Sequence, residues 1–172
     1  MLTLITGGSK NGKSHIAEEI LAAAPAPHYY IATMEPYGSE AAAAIKRHRD
    51  MRAGKGFETV EKYTDLQELS FPRGGSVLLE CMCNLCANEM FSANCREPAP
   101  KILSGVKVLL SQISELVIVT NEVGDDGRVY GDGTMEYIRQ LGNINAALAA
   151  MADNVIEAVY GIALYHKRDM RN

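Results

Sequence analysis

The residues Gly7-Gly8-Ser9-Lys10-Asn11-Gly12-Lys13-Ser14 spell G-x-x-x-x-G-K-[ST], the pattern of a phosphate-cradling loop. The glycines let successive backbone N–H groups turn toward phosphate oxygens, and the helix expected to follow adds its positive end. Lys13 would reach the β and γ phosphates, and the Ser14 hydroxyl would hold Mg2+. A ligand-free glycine-rich turn is the plainer reading, but the loop stands between an expected strand and an expected helix, where the chemistry requires it. Such a loop also needs an acid at the end of a nearby strand to fix the metal, and Glu80 directly follows the apolar run Val77-Leu78-Leu79. Taken alone, Glu80 reads equally as a strand-end carboxylate in water.

A second chemistry is offered by His48, which sits in Ile45-Lys46-Arg47-His48-Arg49-Asp50-Met51-Arg52 among four cations. By itself this run reads more readily as a solvated helix face. A neutral imidazole can, however, attack the α-phosphorus of a nucleotide, and neighbouring guanidinium groups would stabilise the charge that develops. Thr120-Asn121-Glu122-Val123-Gly124 follows an expected strand and so belongs to the sheet edge where open α/β sheets bind ligands. Asn121 and Glu122 serve equally well as caps. Cys81, Cys83, Cys86 and Cys95 do not match the usual zinc spacings, so Cys81 is expected to finish a strand and the others to line a helix as small apolar residues.

These groups need a scaffold, and the pattern supplies one. Short apolar runs over residues 2–6, 29–33, 57–60, 76–80, 116–120 and 155–160 read as strands, the last of them closing the sheet. Helices are expected over 13–24, 39–52, 83–93, 100–114 and 134–151, with Pro98 and Pro100 breaking between the third and fourth. Strands alternating with helices predict an α/β fold of the P-loop NTPase (RecA-like) type, a mostly parallel central sheet flanked by helices. The 172 residues fit a single domain, 1–172. Residues 124–133, with four glycines and three aspartates, form the segment most apt to move.

A formal charge of −4 argues against non-specific nucleic-acid binding, which needs a clustered basic surface. No apolar stretch approaches the roughly 20 residues of a membrane span, and the start lacks the pattern of an export signal, so a cytoplasmic enzyme with reduced thiols is expected.

Together these segments resemble the bifunctional adenosylcobinamide kinase and adenosylcobinamide-phosphate guanylyltransferase family of cobalamin biosynthesis. The likeness runs from the phosphate loop through Tyr30-Ile-Ala-Thr33, Ile45-x-x-His48-x-x-x-Arg52, Thr59-Val60-Glu61, Leu78-Leu-Glu-Cys81 with Asn88, and Thr120-Asn-Glu-Val-Gly124. It continues to Gly142-Asn-Ile-Asn145 and Ala152-Asp153. The histidine segment and the T-N-E-V-G segment are specific to that family. This chain departs from it with Cys83 where a threonine is usual and with a different stretch after Gly124.

The resemblance implies that His48 becomes guanylylated. It also implies that Thr33 with Met34, Arg49, Asp50, Met51 and Arg52, Glu61 and Glu80 surround the guanine nucleotide. ATP and GTP would be co-substrates with Mg2+, the corrinoid adenosylcobinamide and its phosphate the acceptors, and the assembly a homo-oligomer, a trimer. A P-loop holds the β and γ phosphates, so either the His48 helix swings inward or GTP binds in a second pose. Two other readings stay open on the residues alone: a P-loop small-molecule kinase without nucleotidyl transfer, and a non-catalytic nucleotide-binding protein.

Overall fold

Apolar residues without an intervening charge make the inner strands, and both of their faces have to be covered. The computed structural model describes residues 1–37, 45, 46, 49, 54–124 and 126–169. Its strands are β1 (Leu2–Thr6), β2 (His28–Ala32), β3 (Phe57–Glu61), β4 (Ser76–Glu80), β5 (Glu115–Val119), β6 (Asn154–Val159) and β7 (Ile162–Lys167). The helices are α1 (Lys13–Ala22), α2 (Met82–Ala87), α3 (Pro98–Leu110) and α4 (Asp132–Met151), with a π-helical turn, Asn88–Ser92, continuing α2.

One seven-stranded sheet results, in the order β3-β2-β4-β5-β1-β6-β7, parallel throughout except for the β6–β7 pair. Side chains alternate between its faces with a period of two. Leu2, Leu4, Ile31, Val77, Leu79, Leu116 and Ile118 pack with Ile102, Val106 and Leu109 of α3 and Leu141, Ile144 and Leu148 of α4. On the opposite face Ile5, Tyr30, Leu78, Val117 and Val119 pack with Ile16, Ala17 and Leu21 of α1. Each such side chain, fully buried, contributes about 1.5–3 kcal/mol. The expected fold class is the one found.

Several details differ from the expectation. The sheet does not close with the strand ending near Tyr160: β7 pairs back antiparallel through a two-residue turn in which Tyr160 and Gly161 both have positive φ, 49° and 84°. That is the turn whose twist suits a hairpin, and glycine next to the strand end was its signal. Pro98 and Pro100 do not separate two helices; they lie in the first turn of α3, where the missing N–H groups would have had no intrahelical acceptor. The last helix starts two residues earlier than expected, at Asp132, taking Gly133 from the irregular segment. Cys95 lies beyond the helical residues instead of lining them. Of the helix expected over 39–52, Ile45, Lys46 and Arg49 are helical; Ser39, His48, Asp50, Met51 and Arg52 lie outside the described residues.

Glu115, at the start of β5, is 7% exposed, and its Oε1 has no hydrogen-bond partner among the described residues. Burial pushes its carboxyl above the ordinary glutamate range, with the Met1 ammonium opposing and Asp153 reinforcing the shift. A raised folded-state pKa contributes stability at low pH that is lost as pH rises through it. Glu115→Gln is therefore expected to stabilise the fold at pH 7 by about 1 kcal/mol, raising Tm by about 2–4 °C, with the gain disappearing toward pH 4. Thermal melts of both proteins across that range check this; equal Tm values at pH 7 would contradict it.

Candidate active site

The carboxyl ends of β2, β4 and β5 open on a cavity of about 1170 Å3, whose wall includes Ala32, Glu80 and Val119. Into the same cavity project the loop and helix start, Ser9 to His15, together with Met34, Ile45, Lys46, Arg49, Glu61, Tyr63, Cys81, Asn84 and Asn121. The loop requires glycine at two points. Gly7 has φ +132°, and a Cβ there would lie 2.5 Å from the Ala158 carbonyl oxygen. Gly12 has φ +92°, and a Cβ there would lie 3.1 Å from Gly161 Cα. The β6–β7 turn thus backs the loop, and the Gly161 N–H donates to the Asn11 carbonyl at 3.0 Å.

Lys13 is 8% exposed and its Nζ donates to the carbonyls of Gly7 at 2.9 Å and Gly8 at 2.7 Å. Burial lowers its pKa, while Cys83, Cys81, Glu80 and Glu122 pull it back up. Anionic phosphate oxygens would offer this ammonium a stronger partner than the two carbonyls it now bonds. The sheet order interposes β5 between β1, which leads into the loop, and β4, which ends at Glu80. Contact is made by α1, which packs across β5 and β4, so that Ser14 Oγ donates to Glu80 Oε1 at 2.5 Å. The other carboxylate oxygen of Glu80 accepts from the Tyr30 hydroxyl at 2.9 Å. Ala32 faces Glu80 across the register, and Tyr30, two residues upstream, shares that face. A hydroxyl and a carboxylate held together in this way are hard oxygen donors suited to Mg2+.

Arg49 donates to Glu61, and the Tyr63 hydroxyl donates to the other Glu61 oxygen at 3.0 Å. Thr33 does not line the cavity. It is fully buried, its hydroxyl donates to the Cys81 carbonyl at 2.8 Å, and it accepts the Cys81 N–H at 2.8 Å. Asn88 explains its place in the motif by donating to the carbonyls of Thr33 at 2.8 Å and Tyr63 at 3.0 Å, which ties the ends of β2 and β3 together. Asn145 accepts from Thr120 Oγ1 at 2.8 Å. His48, Asp50, Met51 and Arg52 lie outside the described residues, although Ile45, Lys46 and Arg49 on either side of His48 in sequence line the cavity.

Tyr30, Tyr63 and Asn84 were assigned no role by sequence reasoning. Tyr30 was visible only as the first residue of a motif, and its reach to Glu80 depends on strand register. Cys83 is more than a small apolar residue. Hydrogen bonding from Cys81, and from Asn121 through its N–H at 3.3 Å and its side-chain amide at 3.5 Å, holds its thiol well below the usual range despite burial.

Residues 3–165 match the family described as cobinamide kinase / cobinamide phosphate guanyltransferase. The chain is 31% identical to the bifunctional adenosylcobalamin biosynthesis protein CobU of Salmonella typhimurium, covering 95% of this chain and 98% of that protein. It is 32% identical to the protein of the same name from Escherichia coli, with the same coverage, and 27% identical to bifunctional adenosylcobalamin biosynthesis protein CobP of Pseudomonas aeruginosa over 95% and 96%. In fold alone it is similar to the flagellar accessory protein FlaH of Methanocaldococcus jannaschii, at 12% identity and a TM-score of 0.53, over 98% of this chain and 79% of that one.

Proposed function

The chain belongs to the cobinamide kinase / cobinamide phosphate guanyltransferase family, and from that premise we propose how its residues divide the two transfers. The protein is a bifunctional enzyme of cobalamin biosynthesis that phosphorylates cobinamide and then transfers a guanylyl group to the phosphate. The observation that carries the assignment of residues is the single cavity that joins Lys13, Ser14 and Glu80 to the residues flanking position 48.

In the first transfer the loop N–H groups and Lys13 bind the β and γ phosphates of ATP or GTP. Ser14 and Glu80 are the residues that would hold Mg2+, which when bound would supply charge neutralisation to those phosphates. The hydroxyl of the corrinoid side chain attacks the γ-phosphorus, and Lys13 stabilises the charge on the oxygens that are leaving with the diphosphate. In the second transfer His48 attacks the α-phosphorus of GTP, pyrophosphate leaves, and the phosphate of cobinamide phosphate displaces the imidazole to take up GMP. The Arg49–Glu61 pair and Met34 border the space for the nucleoside. A homo-oligomer, by the resemblance a trimer, and a cytoplasmic location accord with this reading. Among the described residues no helix is long and apolar enough to cross a membrane.

Tyr30 holds the oxygen of Glu80 that Ser14 does not. Loss of one hydrogen bond to a charged group costs about 1.5–3 kcal/mol. Tyr30→Phe is therefore expected to slow phosphorylation about tenfold and to raise the Mg2+ concentration needed for half-maximal rate. A Mg2+ titration of initial rates is the check, and an unchanged Mg2+ dependence would remove Tyr30 from this role. The division of labour itself is tested by substituting Lys13 and His48 separately and assaying each transfer.

A further inference from the structure

The β2–β3 ladder ends where Ala32 pairs with Glu61 and the Lys62 N–H reaches the Ala32 carbonyl at 3.0 Å. Past that point both chains line the cavity, one through Met34 and the other through Tyr63. A single buried side chain spans the two exits. Asn88, 8% exposed, donates from Nδ2 to the Thr33 carbonyl at 2.8 Å and to the Tyr63 carbonyl at 3.0 Å. A primary amide can do this because one nitrogen carries two hydrogens, whereas a hydroxyl has one and a carboxylate none. Glu89 grips the same segment two residues further on. Its Oε1 accepts the Asp65 N–H at 2.8 Å and its Oε2 accepts from Lys101 at 2.6 Å, while Lys101 also pairs with Asp65 at 2.7 Å. Asp65 has φ 56°, a left-handed conformation that a residue other than glycine keeps only where its surroundings over-determine it. Asn88 and Glu89 open the π-helical turn, in which the Ala93 N–H bonds back to the Asn88 carbonyl at 2.9 Å. Turns of that kind are frequent at functional sites.

We infer that Asn88, supported by Glu89, is a positioning residue for guanylyl transfer: it fixes the wall against which the nucleoside of GTP rests beside position 48. The inference rests on the assignment of that wall to the guanine nucleotide. From Asn88 the contacts run outward. The Tyr63 carbonyl is held, the Tyr63 hydroxyl donates to Glu61 at 3.0 Å, and Glu61 accepts from Arg49, the residue that follows His48 in sequence. A freed Tyr63 would release Glu61 and with it Arg49, so nucleoside and nucleophile would lose their alignment. The kinase groups are held by other bonds. Lys13 rests on the carbonyls of Gly7 and Gly8, and Ser14 bonds Glu80. The Thr33 N–H and hydroxyl secure the Glu80 and Cys81 carbonyls without Asn88. Loss of the amide therefore falls more heavily on the second transfer than on the first.

Labelling of the full chain is followed with GTP labelled at the α-phosphate over a range of GTP concentrations, and phosphorylation of cobinamide is measured with ATP on the same preparations. For Asn88→Ala, which removes both amide hydrogen bonds, the GTP concentration giving half-maximal labelling should rise about tenfold, while the rate at saturating GTP falls less. The ratio of guanylylation to phosphorylation at subsaturating nucleotide should drop at least about fivefold. Tyr63→Phe removes the hydroxyl and leaves the buried amide in place, so it tests the same chain of contacts even if the Ala variant fails to fold. It should raise the half-saturating GTP concentration in the same direction, and combined with Asn88→Ala it should add little, because both changes break one chain. Equal losses in the two transfers, which a purely structural role would give, an unchanged GTP dependence in either variant, or fully additive effects would each overturn the inference. A wild-type protein that takes up no label would remove the His48 assignment and the inference with it. A labelled wild type beside an equally labelled Asn88→Ala variant would remove the inference alone.

Discussion

Lys13→Ala is expected to reduce nucleotide-dependent phosphorylation of cobinamide on the order of a thousandfold or more. Catalysis of phosphoryl transfer consists almost entirely of positioning and charge stabilisation, and on the proposed reading Lys13 supplies both at the β and γ phosphates. The geometry prepares it for this. Its ammonium is buried at the base of the loop, on the carbonyls of Gly7 and Gly8, and needs no long excursion to meet a phosphate. A methyl group in its place leaves the loop N–H groups intact, so nucleotide binding should weaken less than turnover. Initial rates with ATP and with GTP, alongside nucleotide binding by calorimetry, separate the two effects. Wild-type turnover by the Ala variant would remove Lys13 from the mechanism.

His48→Asn is expected to remove guanylyl transfer, by at least about a thousandfold, while leaving phosphorylation of cobinamide near its wild-type rate. An amide has no nucleophilic nitrogen lone pair, so the covalent intermediate cannot form. In the proposed division of labour, phosphorylation relies on Lys13, Ser14 and Glu80 instead. The attack needs a neutral imidazole near pH 7. Product analysis in a coupled reaction distinguishes the outcomes. The variant should accumulate cobinamide phosphate, and production of the GDP-linked corrinoid at the wild-type rate would rule out His48 as the nucleophile.

Much of this architecture was legible before any coordinates because the relevant signals are local. The phosphate loop is a short contiguous string, and Glu80 stands at the end of an uninterrupted apolar run, as buried parallel strands require. Contacts that depend on register or on a second element were less visible. That Ser14 meets Glu80 through α1, across an intervening strand, follows from strand order, which a linear pattern does not encode. Tyr30 reaches Glu80 only because β2 and β4 pair in one register and not its neighbour. β7 carries mostly exposed side chains, so it shows none of the burial pattern that marks the inner strands. Thr33 and Asn88 were legible as motif residues, but their work is to tie strand ends together, which spacing alone cannot tell from ligand contact.

Incubation of the wild-type protein with GTP labelled at the α-phosphate tests the central claim, that one chain adds to its P-loop kinase site a histidine that carries the guanylyl group. The account predicts label retained on the denatured protein, stable to base and lost in acid as a phosphorus–nitrogen bond requires, chased off by cobinamide phosphate, and absent from His48→Asn. Label that never attaches to protein, or that attaches equally to the Asn variant, would contradict it.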